Sequence, residues 1–173
     1  MSHYEESKSP ARARQAATSE RYLAFLLGKE QYAIPLLQVK EVIEMSEPMP
    51  IPQTPAYFKG IINLRGQVIS VLDLKAKLRL PKTDPGPKTA IIILDIEPQL
   101  FLGVIVDRIN SVLAFPHEDI SVAPSNLSDN KQQYLTGVAR REDNKMTLIL
   151  DIRSALNIQD IQALTQTNLK DVG

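Results

Sequence analysis

The chain has no cysteine. Disulfides, thiolate nucleophiles and thiolate metal ligands go with it, and the composition fits a reducing compartment, taken here as the cytoplasm. Histidine occurs only as His3 and His117, and His3 lies in a polar opening stretch. A catalytic triad, a histidine-rich metal site or an imidazole base would therefore rest on His117 alone. That residue sits between Phe115-Pro116 and Glu118-Asp119, a pattern for a solvated turn that opens a short helix. An excess of charge is lacking too. The 20 basic and 20 acidic residues cancel, so nothing draws phosphate backbones or anionic lipid over long range, and nucleic acid is not an expected partner. No apolar run approaches the roughly 18 to 20 residues of a membrane span, and the first twenty residues hold no apolar stretch of the secretory kind. Direct membrane insertion is not expected, and any membrane contact would come through partners.

What the 173 residues do contain is enough apolar side chain, 43%, to build a core. Residues 1–20 are polar and unpatterned and read as a flexible tail, as do 165–173. Between them lie short apolar runs, among them RYLAFLL, QYAIP, VKEVIE, QVISVLDL, TAIIILDI, FLGVIV and MTLIL, each broken by Gly, Pro, Asn or Asp. Runs of roughly four to eight residues between turn signals read as strands. Only short helical patches, LKAKL and IRSAL, interrupt them, so the fold class is all-β with short helices.

The runs also repeat. GIINLRGQVISVLDLKAKL (Gly60 to Leu78) lines up with GVARREDNKMTLILDIRSAL (Gly137 to Leu156), and YAIPLLQVKEVI (Tyr32 to Ile43) with LGVIVDRINSVL (Leu102 to Leu113). Two halves of about 65 to 70 residues, each small for an independent core, are expected to pack as two small barrels with a groove between them. The proline-rich stretch near residues 80–88 marks their boundary, and strands exchanged between the halves are one arrangement this allows.

Sites for chemistry are scarce. GIINLRGQV lacks the Lys-Ser/Thr of a phosphate loop. Asp73 and Asp151 occupy equivalent repeat positions but each precedes a helical patch, where an aspartate caps free N–H groups. Asp95 and Asp107 close strands as turn residues, and no spacing joins them into a metal motif. No metal, cofactor or enzymatic activity is expected. Small barrels do bind single-stranded nucleic acid through aromatics beside basic grooves, but here five tyrosines and four phenylalanines have no basic stretch interleaved. Arg140-Arg141 and Arg79 to Lys82 read as solvated hairpin charges, which leaves that function a remote alternative.

Two segments read as partner surface. In PLLQVKEVIE neither phase of the alternation is a plain core face, which places Leu36 and Val39 in a candidate apolar patch. In FKGIINLRGQVISVLDL a hairpin tip, Asn63-Leu64-Arg65-Gly66, presents a guanidinium on a two-strand support, suited to pair bidentately with a partner's carboxylate.

These same stretches, IPLLQVKEVIE, IPQTPAYFKGIINLRGQVISVLDL, LGVIVDRINSVL and YLTGVA, resemble the CheW family of chemotaxis coupling proteins over about residues 21–164. The resemblance implies two SH3-like five-stranded barrels and a non-enzymatic role bridging the cytoplasmic tip of a chemoreceptor to the regulatory domain of the histidine kinase CheA. It places Arg65, Asn63, Gly60 and Glu41 at a receptor-coupling corner, and Leu36 and Val39 at the kinase. Val104 would line a groove for a receptor helix pair. Arg108 stands where many members carry a small residue. With the long opening stretch, it leaves room for a non-flagellar system such as one controlling type IV pili. Neither a receiver domain nor an ATP-binding domain is expected.

Overall fold

The computed structural model describes residues 19–123, 134–140 and 144–156. Its strands in chain order are β1 (Ser19–Leu27), β2 (Glu30–Pro35), β3 (Val39–Glu44), β4 (Phe58–Leu64), β5 (Gln67–Asp73), β6 (Ala90–Glu97), β7 (Leu100–Val106), β8 (Arg108–Pro116), β9 (Ile120–Ser121), β10 (Leu135–Arg140) and β11 (Met146–Leu150). Two short helices, α1 (Leu74–Lys77) and α2 (Ile152–Leu156), follow β5 and β11, and single 3-10 turns lie at Leu36–Gln38 and His117–Asp119. The chain is all-β, as its run lengths imply. Ser19 and Glu20, read from sequence as tail, pair with Pro116 and Phe115 and so begin β1. The rest of that tail, Arg141 and the C-terminal stretch lie outside the described residues.

Two sheets result, a five-stranded one ordered β3-β6-β7-β5-β4 and a six-stranded one ordered β8-β1-β2-β11-β10-β9. The second exceeds the expected five strands by β9, which is two residues long. The continuous apolar runs of β1, β6 and β7 have a plain cause. Leu23, Phe25 and Leu27, Ile92 and Leu94, and Leu102, Val104 and Val106 point into one large core shared by both sheets. The alternate residues fill two smaller cores, Tyr22, Ala24 and Phe115 on the other face of the six-stranded sheet, and Ile62, Ile69, Ile91 and Ile93 on that of the five-stranded sheet. Strands buried on both faces lose alternation.

The halves interlock. The β1–β2 hairpin lies in the sheet that holds β10 and β11, whereas β6 and β7 lie with β3, β4 and β5. The seams are two parallel pairs, β2 with β11 and β5 with β7. Exchanging each strand for its repeat counterpart converts one sheet order into the other, β9 apart. The match extends to detail. Both β4 and β10 carry a register shift just before a glycine, Gly60 and Gly137. Asp73 N–H donates to Tyr57 O and Asp151 N–H to Tyr134 O, both at 2.8 Å. Asp73 Oδ1 accepts from Ala76 N–H at 3.3 Å and Asp151 Oδ1 from Arg153 N–H at 3.1 Å, so both aspartates cap their helices. His117 is exposed in its 3-10 turn.

Candidate functional site

The β4–β5 hairpin closes through Leu64-Arg65-Gly66-Gln67, with φ of +52° at Arg65 and +85° at Gly66. Positive φ at both central positions is the primed turn whose twist matches paired strands. Gly66 adopts it freely, whereas Arg65 meets a cost of about 1 kcal/mol. Asn63 Oδ1 accepts the Gly66 N–H at 2.9 Å and holds the turn.

From this tip Arg65 reaches β3. Its Nη1 and Nη2 donate to Oε1 and Oε2 of Glu41, each at 2.8 Å. Because β3 and β4 are the two edges of the five-stranded sheet, the fork joins opposite edges and closes that barrel at one corner. Two parallel N–H···O bonds fix orientation as well as distance. The Arg65 side chain stays 71% exposed, so the corner presents a preset, outward-facing guanidinium. The carboxylate that sequence reasoning assigned to a partner is thus first supplied by the chain itself.

The hydrogen bonds from Arg65 hold the Glu41 carboxyl below the usual glutamate value. A lowered folded value means that the pair contributes above the ordinary carboxylate range and is lost as pH falls through the lowered midpoint. A carboxyl-detected NMR titration should therefore find the Glu41 midpoint below that of a free glutamate, and Arg65→Ala should return it upward. An unmoved midpoint would show that the fork does not persist in solution.

Gly60 is buried. At φ +142° its position faces Met49, and a Cβ there would lie 2.0 Å from the Met49 carbonyl oxygen. Met49 and Ile61 exchange backbone hydrogen bonds of 2.8 and 2.9 Å, so the segment after β3 covers the β4 edge at the glycine. Val104 corrects the sequence reading: it is 0% exposed, in the shared core, and cannot line a surface groove. Arg108 instead stands at a cleft of about 460 Å³ lined also by Val42, Ile43, Lys88, Ala90 and Ile109, where β3 ends near the start of β8.

The mixed face of PLLQVKEVIE has a geometric origin. The register of β3 on β6 shifts between Val39 and Glu41. Val39 therefore shares its face with Leu94 and the large core, whereas Glu41 and Ile43 pair with Ile93 and Ile91 of the smaller one. Leu36 and Val39 are half-buried against the large core, and between them Leu37 is 98% exposed on the 3-10 turn. Sequence reasoning passed over Leu37. Lys40 covers the Phe101 ring at 3.8 Å, beside the smaller core of the five-stranded sheet.

Among the described residues no three His, Asp or Glu side chains gather to hold a metal ion, and no helix is long and apolar enough to cross a membrane. A family model, the CheW-like domain, matches residues 21–160. Curated relatives include the chemotaxis protein CheW of Treponema pallidum, 32% identical over 146 residues covering 82% of this chain and 85% of that one, and that of Bacillus subtilis, 32% identical over 149 residues covering 84% and 92%. Protein FrzA of Myxococcus xanthus is 27% identical over 157 residues covering 91% and 92%. Among solved structures, the scaffolding protein TtCheW from Thermoanaerobacter tengcongensis superposes with a TM-score of 0.70 at 31% identity, covering 76% of this chain and 88% of that one. The match across residues 21–160, with relatives at 32% identity, shows that the chain belongs to the CheW family.

Proposed function

We propose that this chain is a non-enzymatic adaptor that couples the cytoplasmic tip of a chemoreceptor to the regulatory domain of the histidine kinase CheA, working in the cytoplasm at receptor arrays. The observation that carries this reading is the CheW-like match over residues 21–160. The geometry supplies a means. One surface is the Arg65–Glu41 corner with Asn63 beside it, a rigid polar fork suited to orient a receptor helix. The other is the apolar knuckle Leu36-Leu37 with Val39, suited to desolvated contact with the kinase. Gly60 serves the first surface by admitting Met49 beside β4.

Leu37 makes the sharper test because it takes no part in the core. Leu37→Asp should leave the melting temperature within about 2 °C of wild type, since a fully exposed side chain contributes little to stability. It should weaken kinase capture by about tenfold or more while receptor capture persists. The measurement is a pull-down with purified kinase regulatory domain and receptor fragment. Equal kinase capture by wild type and variant would remove the knuckle from the interface.

A further inference from the structure

Among the described residues the chain passes between sheets twice, and the two crossings are repeat counterparts. One runs from β2 to β3 through Leu36–Gln38, the other from β7 to β8 through Asp107. In the alignment of Tyr32 to Ile43 with Leu102 to Leu113, Leu37 corresponds to Asp107. The first crossing is a bare leucine and the second is tied down. Asp107 N–H donates to Leu26 O at 3.1 Å, and Asp107 Oδ2 accepts from Gly28 N–H at 2.7 Å, which fastens the β1–β2 turn. Asp107 Oδ1 meets the Lys75 ammonium at 2.7 Å. Lys75, on α1, is only 6% exposed and donates also to Thr83 Oγ1 in the connection between the halves.

The ties converge from both sheets. Lys75 continues β5, whose hairpin carries Arg65, whereas Gly28 precedes β2, which leads into the Leu37 knuckle. The repeat counterpart of Lys75 is Arg153, which donates to the Ile96 carbonyl just before the β6–β7 turn. Both helices therefore brace the opposite hairpin, but only the Lys75 brace passes through a crossing residue. A buried ammonium held by one carboxylate and one hydroxyl has few alternative partners, so the geometry is tightly specified.

We propose that Lys75 and Asp107 form an inter-sheet latch that sets the Leu37 knuckle and the Arg65 corner at a fixed relative position, which makes Lys75 a positioning residue for coupling. This rests on the two-surface reading above. A broken latch leaves each surface intact and loosens the relation between them.

The test uses the full chain with Lys75→Met, which keeps the apolar stem and removes the ammonium. Hydrogen exchange at the Gly28 amide should quicken by about tenfold. Binding of receptor fragment and of kinase regulatory domain, each measured alone, should stay within about threefold of wild type, while receptor-dependent stimulation of full-length kinase should fall by about fivefold or more. Should Lys75→Met fail to fold, Asp107→Asn, which keeps an acceptor for Gly28 and removes the charge facing Lys75, should show the same loss of stimulation. Stimulation equal to wild type in the folded variant overturns the latch, as does Gly28 exchange that does not change. Wild-type chain that captures neither partner overturns the coupling reading itself, and that outcome is read before any variant.

Discussion

Gly60→Ala is expected to lower stability by about 3 kcal/mol or more, and to lower the melting temperature by about 6 to 12 °C for a chain of this size. The Cβ would sit 2.0 Å from Met49 O and 2.5 Å from Met49 C, both backbone atoms that cannot rotate away. The backbone at φ +142° adds strain for any side chain. Relief requires moving the Met49 segment, which breaks the two Met49–Ile61 hydrogen bonds and bares the β4 edge. Gly66→Asn is the control, since nothing lies within 4 Å of a Cβ there and asparagine tolerates φ of +85°. Thermal unfolding followed by circular dichroism separates the two. A Gly60→Ala melt within about 2 °C of wild type would mean that the segment after β3 is not seated as described. Any coupling defect in Gly60→Ala would accordingly report lost support for the corner.

The sequence made some of this legible and hid the rest for identifiable reasons. The strands of β5, β6 and β7 were plain because residues buried on both faces leave long apolar runs, and the duplication was plain because Asp73 and Asp151 keep the same capping task. The phase of β3 was obscured by one register shift at Lys40, which moves Val39 and Glu41 to opposite faces without any glycine or proline to announce it. The interlocking of the halves left no local mark, since it depends on which parallel partner β2 and β5 choose. Val104 was placed at a groove by the family resemblance alone, and the fold buries it in the shared core as it buries Ile34, its repeat counterpart. Asp107 read as a strand-ending turn residue. Its partner Lys75 lies 32 positions away in a helical patch where lysine is ordinarily solvated, and only the folded chain brings the two to 2.7 Å.

The corner offers a second large effect, and charge reversal can divide its two possible roles. Arg65→Glu is expected to weaken receptor binding by about tenfold or more. It sets a carboxylate against Glu41 where a bidentate fork stood, and it removes the exposed guanidinium. Exposed turn charges contribute little to stability, so the melt should move by no more than about 3 °C. Adding Glu41→Arg rebuilds an internal pair with its polarity reversed. If Arg65 acted only by tying β3 to the β4–β5 tip, the double variant would bind the receptor fragment as wild type does. The geometry favours a different result, because Arg65 presents a 71% exposed side chain outward and Glu41 shows only 23%. A partner therefore meets mainly the guanidinium, and in the double variant it would meet a carboxylate at the same tip. The double variant should regain the wild-type melting temperature yet remain about tenfold or more weaker for the receptor fragment by calorimetry. Recovery of binding along with the melt would assign the arginine a bracing role alone and move the recognition elsewhere on the tip, to Asn63.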